Sequence, residues 1–101
     1  MHTIYSEESV ASQQGKTVFI TGANTGIGFE TARIFAARGA RVLLGCRSKP
    51  RATQAIEDIQ TICPKADLAF VKLDLANLNS IKAAAEVVQA ESSLDLLINN
   101  A

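Results

Sequence analysis

The chain has no excess of either charge: 10 basic residues stand against 10 acidic ones in 101 residues. Broad affinity for nucleic acid or an anionic membrane surface rests on surplus Lys and Arg, so neither partner is expected and only a local basic site remains open. Cysteine is scarce. Cys46 and Cys63 form no C-x-x-C pair and sit in no Cys/His cluster, which argues against a zinc site or a disulfide framework and makes a reduced, cytoplasmic setting the default. No apolar run is long enough to span a membrane. The opening MHTIYSEESVASQQGK is polar and mildly acidic, without the basic start and apolar core of a secretory signal. The single histidine, His2, and the single tyrosine, Tyr5, both fall there and read as leader residues rather than ligands.

What is present is an ordinary globular composition, 48% hydrophobic and 20% charged, at a length that suits one small core. Residues 1–15 read as a flexible leader and residues 16–101 as the folded domain. Thr17 to Thr21 is a short β-branched and aromatic run ending at Gly22, the pattern of a strand buried on both faces. Ile27, Thr31, Ile34 and Phe35 then recur at helical spacing, with Glu30 and Arg33 on the opposite side, and Gly39 closes the helix. A second strand is expected over Arg41 to Gly45. The helix after it carries Ala52, Ala55, Ile56, Ile59 and Cys63 on one face, with Pro50 in its first turn and Pro64 at its end. Leu68 to Leu73 is a third strand; Ile81, Ala84, Ala85 and Val88 mark a third helix; Leu94 to Ile98 is a fourth strand.

Alternating strands and helices of this length make parallel βαβ units with right-handed crossovers. The fold class is therefore α/β, a Rossmann-like doubly wound parallel sheet of order 3-2-1-4 that stops after its fourth strand. Ligands of such sheets bind outside the carboxyl ends of the strands, where strands 1 and 4 meet. Strand 1 leads there into Thr21-Gly22-Ala23-Asn24-Thr25-Gly26-Ile27-Gly28. Gly22 permits the sharp exit, Gly26 lets backbone amides approach a pyrophosphate, and Gly28 lets the following helix pack tightly. Amides and the positive end of the helix dipole would then face the phosphates. The spacing is G-x-x-x-G-x-G. Three glycines near a helix start are compatible with a plain flexible turn, but their place between this strand and this helix favours phosphate binding.

TGANTGIG, GARVLLGCR, LDL and LINNA, in this order over Lys16 to Ala101, resemble the short-chain dehydrogenase/reductase family. The TGANTGIG and CR pairing is further similar to its retinol-dehydrogenase-like branch. The resemblance implies a nicotinamide cofactor held by Gly22, Asn24, Thr25, Gly26, Ile27 and Gly28. In the family, an acid at the end of strand 2 bonds the adenosine ribose of NAD and repels a 2′-phosphate. This chain has Cys46 there, followed by Arg47, and so NADP is expected over NAD, with a charge-assisted bond of about 1.5–3 kcal/mol from Arg47. Lys49 and Arg51 would add to the local field. Asp74 and Leu75 match the positions that meet the adenine amino group and border its ring, although an Asp at a strand end can equally cap a turn. Asn99, Asn100 and Ala101 resemble the family's NNAG turn beside the cofactor.

Family members move hydride between the cofactor and a small alcohol or carbonyl, using a Ser and a Tyr with a Lys four residues on. The residue four after Tyr5 is Ser9, so Tyr5 does not fit, and Asp95 reads as a strand-end polar residue rather than an acid. These residues alone are therefore expected to be catalytically inactive, the cofactor-binding part of a longer oxidoreductase. The alternative is a standalone nucleotide-binding or interaction module. A sequence that stops inside the NNAG turn favours the first. The apolar strand 4, with Asp95 as its only charge, is further expected to self-associate through its outer edge.

Overall fold

The computed structural model describes Ser12 and residues 14–23, 26–91 and 94–99. Seven elements alternate along it: β1 (Thr17–Thr21), α1 (Gly26–Ala37), β2 (Arg41–Cys46), α2 (Lys49–Ile62), β3 (Asp67–Lys72), α3 (Leu78–Gln89) and β4 (Leu96–Asn99). The strands form one sheet in the order β3-β2-β1-β4, every pair parallel. This is the Rossmann-like order expected from the sequence.

The period-2 geometry of a strand divides its side chains between two faces, and β1 shows why it is central. Val18 and Ile20 join Val42 and Leu44 under Ala32, Phe35, Ala55 and Ile59 of α1 and α2. Phe19 points the other way and packs with Leu43, Val71 and Leu73 against Ala84 of α3. Two helices thus cover one face and one covers the other, as right-handed crossovers require. Position 45 is glycine for a packing reason: a Cβ there would stand 2.6 Å from Cε1 of Phe19.

Three expectations are corrected. Ile27, read as part of the packed face of α1, is 49% exposed, because the first turn of the helix projects past the sheet and burial begins at Gly28. On α3 only Ala84 is buried; Ile81 and Ala85 are exposed and Val88 half-buried, because this helix is alone on its face. The fourth strand starts at Leu96 rather than Leu94. The carboxylate of Asp95 accepts from the Thr17 amide at 2.9 Å while its own amide donates to the Thr17 carbonyl at 2.9 Å. A side chain thus takes the place of a ladder carbonyl, and the regular register opens one residue later with Val18 opposite Leu96. Smaller shifts extend β2 to Cys46 and begin β3 at Asp67.

At the amino ends of the strands, Arg41 joins three elements. Its Nη1 donates to Asp67 Oδ1 at 2.7 Å and its Nε to Glu91 Oε1 at 2.8 Å, so the start of β2 holds both the start of β3 and the second residue after α3. The hydrogen bond from Arg41, with its positive charge, pulls the Glu91 carboxyl below its ordinary 4.5. A lowered carboxylate pKa stabilises the fold above the unfolded-state value, and the contribution disappears as pH falls through the folded-state value. The variant Glu91→Gln is therefore expected to melt a few degrees below the parent at neutral pH. That gap should close on acidification below about pH 4.5; thermal melts across this range check it, and a gap independent of pH would contradict the linkage.

Candidate functional site

The carboxyl ends of β1, β2 and β3 enclose an open cleft of about 380 Å³. Its walls are Thr21-Gly22, Gly45-Cys46-Arg47 and the segment from Leu73 to Ala76. Five residues singled out in the sequence, Gly22, Cys46, Arg47, Asp74 and Leu75, are brought together here at the ends of three separate strands.

Gly22 leaves β1 with φ +65°, a left-handed conformation open to glycine at little cost, and its amide donates to the Gly45 carbonyl at 2.8 Å. Gly26 has φ +58° and no atom of the described residues within 4 Å of where a Cβ would stand, so among them the backbone at the start of α1 is open to approach. Gly28 serves a tighter contact. A Cβ on it would lie 1.9 Å from the Gly22 carbonyl oxygen, which shows that the helix is pressed against the turn that leaves β1. Ile27, exposed on the first turn, stands at this same end of the sheet. Asn24, Thr25, Asn100 and Ala101 lie outside the described residues. Asn99 is described but does not line the cleft: its Oδ1 accepts from the Thr21 hydroxyl at 2.9 Å, joining the ends of β4 and β1 beside it.

At the end of β2 the side chain of Cys46 is buried and its Sγ lies 3.8 Å from the Ser48 carbonyl oxygen. Burial pushes the thiol upward in pKa, against the smaller opposing effect of that hydrogen bond, so the residue stays uncharged near neutrality. Arg47 beside it is exposed. Ser48 caps α2, its hydroxyl accepting from the Arg51 amide at 3.4 Å, and Lys49 and Arg51 are exposed on the same first turn.

Asp74 fulfils the turn-capping alternative with one oxygen. Its Oδ1 accepts from the Ala76 amide at 3.0 Å, and no group among the described residues bonds Oδ2. Leu75 is 52% exposed at the rim. The amide of Asp74 donates to the Ser80 hydroxyl at 2.9 Å, a contact between the cleft and α3 that sequence reasoning missed. No motif marks a bond across six residues. Gly45 was also missed, although a glycine within an apolar strand is a signal of close approach.

A larger hollow, about 710 Å³, lies at the opposite end of the sheet between the loop after α1 (Arg38 to Ala40) and the loop after α2 (Cys63 to Ala66) with the first residue of β3, Asp67. Helix C-termini carry the negative end of the dipole. Arg38 and Lys65 line this hollow beside those ends. The smaller cleft has the opposite polarity and the converging glycines.

Residues 16–101 match the family model described as short chain dehydrogenase. Among curated relatives, the short-chain dehydrogenase/reductase bet4 of Neocamarosporium betae is 44% identical over 100 residues, covering 96% of this chain and 29% of the relative. Retinol dehydrogenase 12 of Bos taurus is 50% identical over 88 residues, covering 86% and 28%. Among solved structures, the L-sorbose reductase of Gluconobacter frateurii, in complex with NADPH and L-sorbose, superposes with TM-score 0.79 at 31% identity, covering 89% of this chain and 34% of that one. An actinorhodin polyketide ketoreductase with NADPH superposes with TM-score 0.76 at 28% identity, covering 91% and 35%. The chain spans about a third or less of each of these four proteins.

Proposed function

The chain belongs to the short-chain dehydrogenase/reductase family, an oxidoreductase family, and from that premise we propose that residues 16–101 bind the adenosine diphosphate half of NADP(H). The parent reaction is hydride transfer between that cofactor and a small alcohol or carbonyl. The observation that carries the cofactor preference is the pairing of an uncharged Cys46 with an exposed Arg47 in the same cleft as Gly22 and Asp74.

Each group has a task set by its chemistry. Backbone at Gly22 and Gly26 admits the pyrophosphate, and the positive end of α1 lies at the same end of the sheet. Oδ2 of Asp74, an acceptor only, takes the adenine amino group while Leu75 borders the ring. Arg47 pairs with the 2′-phosphate, and a neutral thiol at position 46 does not repel it. The bound nicotinamide supplies or accepts the hydride. Residues 16–101 themselves supply binding, because they contain no tyrosine, and the Asp95 carboxylate is engaged with Thr17 at the other end of the sheet. Catalysis by these 101 residues alone is therefore not expected. Two of the matched structures hold NADPH, which supports the choice of cofactor.

Self-association through β4 belongs to the same proposal. Among the described residues β4 is an outer strand of the sheet; Leu96 and Leu97, on opposite faces, are 37% and 57% exposed. The Asp95 carboxylate is turned inward to the Thr17 amide, and so it does not guard the outer edge. Because the Asp95 amide points to β1, strand alternation directs those of Leu96 and Ile98 outward.

Two measurements follow. Titrating the chain and its Arg47→Ala variant with both cofactors should show NADP weakened by roughly 10–100-fold and NAD little changed. Cys46→Asp should shift preference toward NAD. Equal loss for both cofactors in Arg47→Ala would overturn the assignment of Arg47 to the 2′-phosphate. For β4, sedimentation velocity should show concentration-dependent association that Leu96→Pro abolishes, since this change removes an outward donor and leaves the β1 ladder intact; equal sedimentation of the two proteins would contradict edge pairing.

A further inference from the structure

The turn between β3 and α3 holds more hydrogen bonds than a helix start requires. Asn77 caps α3, its side-chain oxygen accepting from the amides of Asn79 and Ser80 at 2.9 and 3.2 Å. The Asn77 amide donates back to the Asp74 carbonyl at 3.0 Å. Asp74 Oδ1 takes the Ala76 amide. The helix cap and the reversal of the chain are thereby complete without the hydroxyl of Ser80. That hydroxyl, half-buried in the first turn of α3, instead accepts from the amide of Asp74 at 2.9 Å. The bond fixes the backbone of the residue that lines the cleft, and with Oδ1 held by Ala76 it leaves one carboxylate oxygen, Oδ2, for a ligand.

We propose that Ser80 is a positioning residue for recognition of the base: through the Asp74 amide it sets the carboxylate so that Oδ2 accepts a hydrogen bond from an exocyclic amine of a purine. The inference rests on the adenosine reading of this cleft. A carboxylate discriminates strongly here because it can only accept. Adenine offers it an amine, whereas hypoxanthine offers a carbonyl oxygen at the same position, and two acceptors repel. Discrimination of that kind depends on orientation. Without the Ser80 acceptor the part-buried Asp74 amide is left unpaired, a costly state, and the turn relaxes by moving the carboxylate.

The experiment measures binding of NADPH and of its hypoxanthine counterpart to the 101-residue chain and to Ser80→Ala, Ser80→Thr and Asp74→Ala. The parent is expected to prefer the adenine form by about tenfold, the size of one good hydrogen bond to a charged group. Ser80→Ala should lose most of that preference, Ser80→Thr should retain it, and Asp74→Ala should abolish it. The preference for NADPH over NADH, which belongs to Arg47, should be unchanged in Ser80→Ala. If Ser80→Ala fails to fold, Ser80→Cys, a weaker acceptor of similar size, should give an intermediate adenine preference, and an unreduced one counts against the proposal. Equal weakening of both base forms by Ser80→Ala, or no change in either, would assign Ser80 a purely structural role and overturn the inference. A parent without adenine preference, or an Asp74→Ala variant that keeps it, would overturn the adenosine reading itself and the inference with it. That result is distinct from loss in Asp74→Ala with retention in Ser80→Ala.

Discussion

A methyl group on Gly28 would lie 1.9 Å from the carbonyl oxygen of Gly22 and 2.8 Å from its carbonyl carbon. No rotamer relieves such a contact, because both partners are backbone. The first helix can begin where it does only because position 28 has no side chain, and the turn that leaves β1 can reverse there because Gly22 adopts a positive φ. From this close approach follow the placement of α1 over the sheet, the burial of Ala32 and Phe35 against Val18 and Ile20, and the direction of the helix dipole toward the cleft.

The cleft itself depends on three strands ending in register. Thr21 lies opposite Gly45 and Cys46 opposite Lys72, so Gly22, Arg47 and Asp74 emerge side by side although they are widely separated in sequence. Phe19 lies against Gly45 from one face of the sheet, beneath the wall that Gly45 contributes to the cleft. At the other end Arg41 ties β2 to β3 and to Glu91, and Asp95 ties β4 to β1. The charges that bind the sheet together are thus placed away from the end proposed to bind phosphate.

Much of this was legible in the sequence because it rests on local pattern. The β-branched run of β1, the glycines at 22, 26 and 28, and the prolines in the first turn of α2 and just past its end mark elements whose limits are set by backbone chemistry. Strand order followed from the doubly wound pattern, with crossover handedness narrowing the choices. What was not legible rests on tertiary partners. The exposure of Ile27 and Ala85 depends on which part of each helix overlies the sheet, and hydrophobic periodicity carries no information on that. The start of β4 was displaced by a side chain, Asp95, standing in for a backbone carbonyl. Ser80 lies one turn before Ala84 on the same face of α3, and only the folded turn shows that its hydroxyl reaches Asp74.

Where a nucleotide binds is the most direct discriminator, since the described residues form hollows at opposite ends of one sheet. Amide chemical shifts of the isotopically labelled chain, followed during titration with NADP, report both at once. The account predicts saturable shifts concentrated at Gly22, Gly26, Arg47, Asp74 and Ala76, with Arg38 to Ala40 and Cys63 to Ala66 unmoved. Shifts centred on those latter two loops, or none at either end at millimolar NADP, would contradict it.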